Sequence, residues 1–174
     1  MKPRKPMERL VLILLATLAM CGGSAPGSWS DPPGVDLIVE IEATDNTICH
    51  GTPVGIVQIL TAAHCVGSGV LKWKGQGQEG GATLLWRDER RDIAMLVTDK
   101  PPQWLPVHIA KDKPKALDLL MWRVYLQGYV SVPEAGHYLG LDGDGQIIAA
   151  GFFAPGTSGS GLLNARGELV GVVS

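Results

Sequence analysis

Residues 155–174 read PGTSGSGLLNARGELVGVVS, a glycine-rich stretch followed by two short apolar runs on either side of the turn NARG. Glycine and serine are common in ordinary loops for backbone reasons, so the stretch alone predicts a small-residue turn between two strands. The same stretch holds Ser158 and Ser160, and either hydroxyl is a candidate nucleophile. The choice between a plain turn and a reactive one depends on the rest of the chain.

Short strand-like runs also occupy the upstream sequence. They are DLIVEIE, GIVQILTAAHC, ATLLWRDE and DIAMLV in the first half, and LLMWRVYLQGY, GHYLGL and QIIAAG in the second. The segment between the halves, residues 98–116, is rich in proline and has no clear period, which indicates a linker. Together with the 23 glycines and 12 prolines, this pattern favours antiparallel barrels or a sandwich.

The composition limits the size of the protein and the class of its partners. At 174 residues the chain is expected to form one domain or two small ones, and an apolar fraction of 45% is enough to bury a core. The formal net charge of −2 provides no basic field, so nucleic acid is not expected as a partner.

The N-terminus has the three-part layout of a secretory signal. A basic start, MKPRKPMER, is followed by the apolar run LVLILLATLAM and then by small residues. The run is too short to cross a bilayer of about 30 Å, and a buried core helix, the alternative, would need a polar face that is missing. We therefore expect a signal peptide at 1–21, a flexible tether at 22–34, and a secreted or periplasmic protein.

Cys21 lies where a bacterial lipoprotein carries its acylated cysteine. The segment LAMC resembles a lipobox, although Met20 departs from the small residue usually found at that place. A membrane-anchored lipoprotein is thus the alternative localisation. Membrane association is expected only through Cys21 or through an uncleaved signal.

Export favours a disulfide between Cys49 and Cys65. Closing a loop of about 15 residues stabilises a protein by about 3 kcal/mol in the chain-entropy model. The alternative is a metal cluster that includes His50 and His64, but neither CH nor HC matches a CxxC-type ligand spacing. We expect no metal and no other cofactor.

Asp142 and Asp144 alternate in LDGDGQ, as ligands do in a calcium loop. The later acidic ligand of a full loop is missing, and Asp-Gly is an ordinary hairpin turn. A plain turn is the expected structure.

His64 is the strongest candidate for a general base. It follows LTAA, where a strand ends in small residues that let the backbone turn tightly, and Cys65 would pin that turn. His50, His108 and His137 lie in turn-like or linker sequence, where a surface position suffices to explain each. The alternative for His64 is a structural histidine.

A histidine base also needs an acid that orients its ring. Asp92 stands directly before the apolar run IAMLV, where a strand could bury the carboxylate behind a histidine. Asp88 is the competitor, but it lies within RDERR and is expected to be solvated. The alternative for Asp92 is a charged strand end flanked by arginines.

Three segments together resemble the signature regions of the chymotrypsin-like (trypsin-like) serine protease family. They are LTAAHC, RDIAMLV and PGTSGSGLLNARGELVGVVS, in the family's order of His, Asp and Ser. The spacing of Cys49 and Cys65 also resembles the disulfide that brackets the family's catalytic histidine. The serine segment is more similar to bacterial and Deg-type members than to the mammalian digestive enzymes.

The resemblance implies an all-β fold of two antiparallel, six-stranded Greek-key barrels. Residues 35–100 would form the first barrel with His64 and Asp92, residues 101–118 the linker, and residues 119–174 the second barrel with the serine. The second barrel is expected to be truncated, because the second half contains five strand-like runs where six are expected.

The resemblance also implies the catalytic groups. His64, Asp92 and Ser158 would form the triad, and the backbone amides of Gly156 and Ser158 would form the oxyanion hole. Ser160 would occupy a position where glycine or serine is tolerated.

The implied substrate pocket includes Phe152 or Phe153, which precede the nucleophile. Ser174, in GVVS, matches the serine that usually lies beside the buried aspartate. No acid stands in GFFAPG to suit Arg or Lys substrates, so a small or apolar side chain is the expected preference.

The expected function is therefore that of an exported serine endopeptidase that hydrolyses peptide or protein substrates through an acyl-enzyme. The alternative is a catalytically silent, protease-like module that binds peptides, with its catalytic residues retained and its substrate groove incomplete.

Overall fold

The computed structural model describes residues 33–43, 46–67, 71–126 and 130–174. Within these residues the chain is built from strands and two short 3₁₀ helices, at Val35–Leu37 and Ala63–Cys65. The strands are β1 (Val39–Glu42), β2 (Ile48–Pro53), β3 (Gln58–Thr61), β4 (Leu71–Gly75), β5 (Gln78–Asp88), β6 (Ile93–Thr98), β7 (Leu119–Leu126), β8 (Val130–Leu141), β9 (Ile147–Ala150), β10 (Gly161–Asn164) and β11 (Leu169–Val172). The predicted signal peptide, Cys21 and most of the predicted tether lie outside the described residues.

The first six strands close into an antiparallel barrel in the order β1-β2-β3-β6-β5-β4. Buried and more exposed side chains alternate along several of these strands, as expected for strands with one face on a core. Every second side chain of β6 is buried, and in β4 Leu71 and Trp73 are buried while the lysines between and after them are exposed. The indole of Trp73 meets that of Trp104 edge-to-face, with ring centroids 4.8 Å apart. This barrel has its own buried core.

The last five strands form an antiparallel sheet in the order β11-β10-β7-β8-β9. These five strands correspond in chain order to β1, β2, β3, β4 and β5 of the first barrel, so that β9 matches β3 and β11 matches β5. In the first barrel β6 lies between β3 and β5, and the matching place in the second sheet lies between β9 and β11. Among the described residues no strand occupies that place, so the sheet curls into a half-barrel without closing. The predicted all-β double barrel with an incomplete second barrel is confirmed.

The two sheets share a small apolar cluster. Residues of the N-terminal 3₁₀ helix, the connecting segment and the second sheet form it, and side chains of the first barrel pack on it. Its buried members are Val35, Ile38, Val107, Met121, Leu163 and Leu169, with Leu37, Val54 and Leu60 packed against them. Burial of this cluster holds the second sheet against the first barrel.

Between β6 and β7 the backbone is irregular and runs along both sheets. The Val107 amide donates to the Pro53 carbonyl at 2.7 Å, and the Ala110 amide donates to the Leu169 carbonyl at 2.8 Å. An isolated parallel bridge pairs Ile109 with Leu169. The connecting segment therefore attaches to the first barrel and to the edge of the second sheet.

Two strands of the first barrel, β2 and β4, were absent from the sequence expectations. The buried residues of β2 run consecutively because one face of the strand meets the barrel core and the other meets the second sheet. A Cβ added at Gly51 would lie 2.5 Å from Ile59 in the core, and one added at Gly161 of β10 would lie 2.5 Å from Thr52. A strand buried on both faces shows no alternation in its sequence.

The segment LDGDGQ forms a hairpin turn between β8 and β9, as predicted. The Asp142 carboxylate accepts from the amides of Asp144 and Gln146 at 2.9 and 2.8 Å. The carboxylate thus closes its own turn. None of the helices in the described part of the chain is long and apolar enough to span a membrane.

Candidate active site

His64 lies in the 3₁₀ turn that follows β3, and the disulfide Cys49–Cys65 ties this turn to β2. The predicted disulfide is thus present, with Cα atoms 6.1 Å apart. A ring nitrogen of His64 and the two sulfurs lie within 4.8 Å of one another. Sulfurs joined in a disulfide offer no thiolate to a metal, so this cluster does not favour the metal alternative.

Asp92 accepts three hydrogen bonds, which fix the His64 ring and the turn that carries it. The carboxylate accepts from the His64 amide at 2.9 Å and from His64 Nδ1 at 2.6 Å, and the Asp92 carbonyl accepts from the Ala63 amide at 3.1 Å. Asp92 stands just before β6 with a φ of 51°, a left-handed conformation that Asp tolerates.

The contact with Asp92 selects one tautomer of His64. Because an ionised carboxylate only accepts hydrogen bonds, the proton of a neutral His64 ring lies on Nδ1, and Nε2 is left as an acceptor. The His64 side chain is 49% exposed, so the ring is accessible from solvent. A histidine held in this way can act as a general base.

Asp88, the competing acid, is engaged elsewhere. Its carboxylate accepts from the amides of Arg90 and Arg91 and forms an ion pair with the Arg91 guanidinium at 3.3 Å. These bonds close the turn between β5 and β6. In the described chain no hydrogen bond joins Asp88 to His64.

The predicted nucleophile lies in the loop between β9 and β10. The Thr157 amide donates to the Ala154 carbonyl, and the Ala154 amide donates to Thr157 Oγ1, which folds residues 154–157 into a tight turn. Gly156 and Gly159 both have positive φ, at 91° and 81°. A Cβ on Gly159 would lie 2.0 Å from the His50 carbonyl oxygen, so only glycine fits there.

This loop is attached to the same strand as His64. The His50 amide in β2 donates to the Ser158 carbonyl at 2.8 Å, while the neighbouring Cys49 is bonded to Cys65 beside His64. The structure therefore brings His64 and Asp92 into direct contact and anchors Ser158 at the next residue of β2. No hydrogen bond joins the Ser158 hydroxyl to His64 within the described residues.

The two serines of the loop differ in accessibility. Ser160 is fully buried, and its hydroxyl oxygen accepts from the Arg123 amide of β7 at 2.9 Å. Ser158 is only partly buried. Ser160 therefore joins the loop to the second sheet, and of the two serines only Ser158 is partly exposed to solvent.

Two backbone amides of the loop are available to a ligand. Within the described part of the chain, the N–H groups of Gly156 and Ser158 donate no hydrogen bond to another residue. Buried or half-buried amides are usually paired, so two free donors two residues apart suit an anionic oxygen.

Comparison with known proteins identifies the family. The family model of the trypsin-like peptidase domain matches residues 49–172. The chain belongs to this family. No curated protein matches the chain significantly in sequence.

Solved structures of proteases share the fold of this trypsin-like peptidase domain. The Rv3671c protease of M. tuberculosis in its active form is 19% identical, with 87% of this chain and 82% of that chain covered and a TM-score of 0.66. The serine endoprotease of Yersinia pestis is 21% identical, with 86% of this chain and 58% of that chain covered and a TM-score of 0.72. Family and fold together support a hydrolase of the serine-protease type.

The residues predicted to line the substrate pocket of this peptidase domain lie on the surface. Phe152 and Phe153 are 53% and 41% exposed, and the Phe153 ring stacks on Trp122 with ring centroids 4.6 Å apart. Phe153 and Ser174 line one groove of about 550 Å³, and Asp144 also lines it. The hairpin turn between β8 and β9 brings Asp144 to this groove from outside GFFAPG, and Arg91 lines the groove as well.

His50 corrects a sequence expectation. Sequence reasoning explained it as a surface residue, whereas it is fully buried on β2. Its Nδ1 lies 2.7 Å from the Gly156 carbonyl oxygen and its Nε2 lies 2.8 Å from Ser131 Oγ. Burial is the main reason that the pKa of His50 is lowered to about 4.

The other two histidines agree with the sequence expectation. His108 and His137 are exposed, and His137 Nδ1 lies 3.1 Å from the Leu117 carbonyl oxygen. The only local signal that set His50 apart was its position next to Cys49, which does not reveal burial on two faces.

Proposed function

We propose that this chain is an exported serine endopeptidase in which His64, Asp92 and Ser158 cleave peptide bonds. The observation that carries the proposal is the His64–Asp92 contact, which leaves Nε2 of an exposed ring free as an acceptor. The attachment of the Ser158 loop to β2, next to the disulfide that holds His64, supports it.

In the proposed first step, Ser158 Oγ attacks the carbonyl carbon of a peptide bond while His64 Nε2 takes the hydroxyl proton. The carbonyl oxygen becomes an oxyanion that accepts from the amides of Gly156 and Ser158. One such donor contributes about 10²–10³-fold in rate in a serine protease. Asp92 stabilises the imidazolium that forms and keeps its orientation.

In the second step, the bond to the leaving nitrogen breaks and His64 Nε2 gives that nitrogen the proton. An ester between Ser158 and the acyl half of the substrate remains. Water then attacks the carbonyl carbon of this ester while His64 Nε2 takes a proton of the water. The bond from this carbon to Ser158 Oγ breaks, His64 gives the proton to Oγ, and release of the acid leaves Ser158 and His64 as they began.

Export is part of the proposal. The basic and apolar N-terminus supports it, and so does the Cys49–Cys65 disulfide, because disulfides persist mainly in oxidising compartments. Fractionation of the producing cell should find the protein in the periplasm or the medium. Recovery in a membrane fraction that depends on Cys21 would instead favour the lipoprotein form.

The test is covalent labelling with a fluorophosphonate probe, followed by peptide mass mapping. The oxidised protein should be labelled at Ser158, Ser158→Ala should lose both labelling and peptide hydrolysis, and Ser160→Ala should keep much of both. Ser160→Ala leaves the Arg123 amide without its acceptor, a loss of about 1–3 kcal/mol, so circular dichroism must first show that it is folded.

Labelling of Ser160 in place of Ser158 would contradict the assignment. A folded, oxidised protein that takes up no probe would contradict the proposed activity and favour the peptide-binding module.

A further inference from the structure

His50 contacts the loop of the predicted nucleophile at two points. Its backbone amide donates to the Ser158 carbonyl at 2.8 Å, and its ring Nδ1 lies 2.7 Å from the Gly156 carbonyl oxygen. The proposed oxyanion donors are the amides of these same two residues. One buried residue of the first barrel therefore holds both ends of the segment 156–158.

Hydrogen-bond directions in this region follow from the acceptors. The Gly156 carbonyl can only accept, so the ring proton lies on Nδ1 and a neutral ring accepts at Nε2. The Ser131 hydroxyl must then donate to Nε2 across 2.8 Å. Its oxygen remains free to accept from Arg123 Nε, which lies 2.9 Å away.

Arg123 lies at the far end of this series of hydrogen bonds, and two further contacts hold it in place. Its guanidinium donates to the Ser131 carbonyl at 2.6 Å and pairs with the Asp36 carboxylate at 3.3 Å. Every proton along the path from Arg123 through Ser131 and His50 to Gly156 thus has a defined position. Networks that are satisfied in this way are rigid.

The loop needs such support at Gly156. Glycine has the greatest backbone freedom of any residue, and Gly156 has a φ of 91° in the middle of the segment. The peptide unit between Gly156 and Thr157 has two hydrogen bonds: its N–H donates to the Ala154 carbonyl, and its carbonyl accepts from the ring of His50. Without that ring, the Gly156 carbonyl would lack a partner and the peptide unit could rotate.

We propose that His50 is a positioning residue for the oxyanion hole, which orients the Gly156 and Ser158 amides by donating from Nδ1 to the Gly156 carbonyl. The inference rests on the proposed function. It assigns to a residue outside the triad a role in stabilising the transition state, with no contact to the substrate. Preorganised donors of this kind act mainly on kcat, because the oxyanion exists only in the transition state.

Three substitutions separate the hydrogen bond from the bulk of the ring. In His50→Asn the amide nitrogen takes a place similar to Nδ1 and can still donate to Gly156. In His50→Gln the amide lies farther out, near the place of Nε2, and His50→Leu has no donor. Ser131→Ala is a fourth variant, which removes the donor to Nε2 and keeps the Nδ1 contact.

The experiment measures kcat and KM for a peptide substrate with oxidised, folded protein whose Ser158 content is titrated with fluorophosphonate. In His50→Leu and His50→Gln, kcat should fall at least tenfold, towards the loss of about 10²–10³-fold found when one oxyanion donor is removed. KM should change less than about threefold, because the ground state makes no use of the hole. His50→Asn should recover most of kcat, and Ser131→Ala should lie between.

Equal loss of kcat in His50→Asn and His50→Leu, or full kcat in His50→Leu or His50→Gln, would overturn the inference. If His50→Leu does not fold, the comparison of His50→Gln with His50→Asn decides the question. Failure of the proposed function looks different, since wild-type Ser158 would then take up no probe at all.

Discussion

The imidazoles of His50 and His64 differ in environment although their residues lie close to the same disulfide. That of His64 is about half exposed and paired with Asp92, whereas that of His50 is enclosed by β2, β8 and the serine loop. Burial disfavours the charged form and is the main cause of the lowered pKa of His50, about 4, and the nearby Arg123 charge lowers it further. In the proposed mechanism the His64 ring exchanges protons with the substrate and Ser158, while the buried, neutral His50 ring supports the loop.

The lowered pKa of His50 predicts a specific dependence of stability on pH. Between about pH 6.5 and 4 the unfolded chain binds a proton at His50 that the folded chain does not, so the free energy of unfolding rises with pH across this window. The neutral His50 contributes about 3 kcal/mol to the free energy of unfolding. This contribution is complete above about pH 6.5 and is lost as the pH falls towards 4.

Urea unfolding of the wild type and of His50→Asn at pH 7 and pH 4.5 checks this. The variant has an amide at residue 50 that does not titrate, and all other titratable groups are the same in both proteins. The difference between the two proteins therefore reports the protonation of His50 alone. The wild type should lose about 2–3 kcal/mol more than the variant between the two pH values. Equal losses would show that His50 is not held neutral.

At the scale of the strand and the turn, the Cys49–Cys65 disulfide joins strand β2 of the first barrel to the turn of His64. It closes a loop with a sequence separation of 16 residues, for which the chain-entropy model gives about 3 kcal/mol. Because the turn contains His64, we expect reduction to lower the free energy of unfolding by about this amount and to lower the rate of peptide hydrolysis as well.

Urea unfolding with and without a thiol reductant measures the effect, and the double variant Cys49→Ala, Cys65→Ala is the control in which this disulfide cannot form. The reduced wild type should unfold at the same urea concentration as the double variant. A double variant as stable as the oxidised wild type would contradict the prediction.

The same elements show what sequence patterns reveal and what they miss. The turn of His64 and the strand end of Asp92 could be predicted because each is local, a tight turn of small residues and an acid before an apolar run. Strand β4 also had a usable signal, since Leu71 and Trp73 alternate with Lys72 and Lys74. Strand β2 had none, because its two buried faces meet partners that are distant in sequence, such as Gly161 of β10.

At the scale of the whole molecule, the two sheets differ in how their strands are paired. The first barrel is closed, so each of its strands has two neighbours, whereas in the described chain β9 pairs only with β8. The sequence could predict five strands for the second sheet from their apolar runs and turns, although for β8 only its second half, GHYLGL, was expected. It could not predict how they pair, because pairing depends on contacts such as that of β7 with β10, which joins residues about forty positions apart.

Strands β3 and β9 form a matched pair for testing this difference, because each has four residues and lies in an antiparallel sheet. β3 is bonded on both sides, to β2 and β6, and its Ile59 is fully buried, whereas β9 has one bonded side and only half-buried or exposed side chains. Hydrogen exchange followed by mass spectrometry should therefore find the β9 amides exchanging at least about tenfold faster than those of β3 at pH 7.

Equal protection would mean that the open edge of β9 is covered in solution, by another copy of the chain or by a further strand. Measurement at lower protein concentration distinguishes these two explanations. Protection of β9 by a second copy decreases on dilution, whereas protection by a strand of the same chain does not.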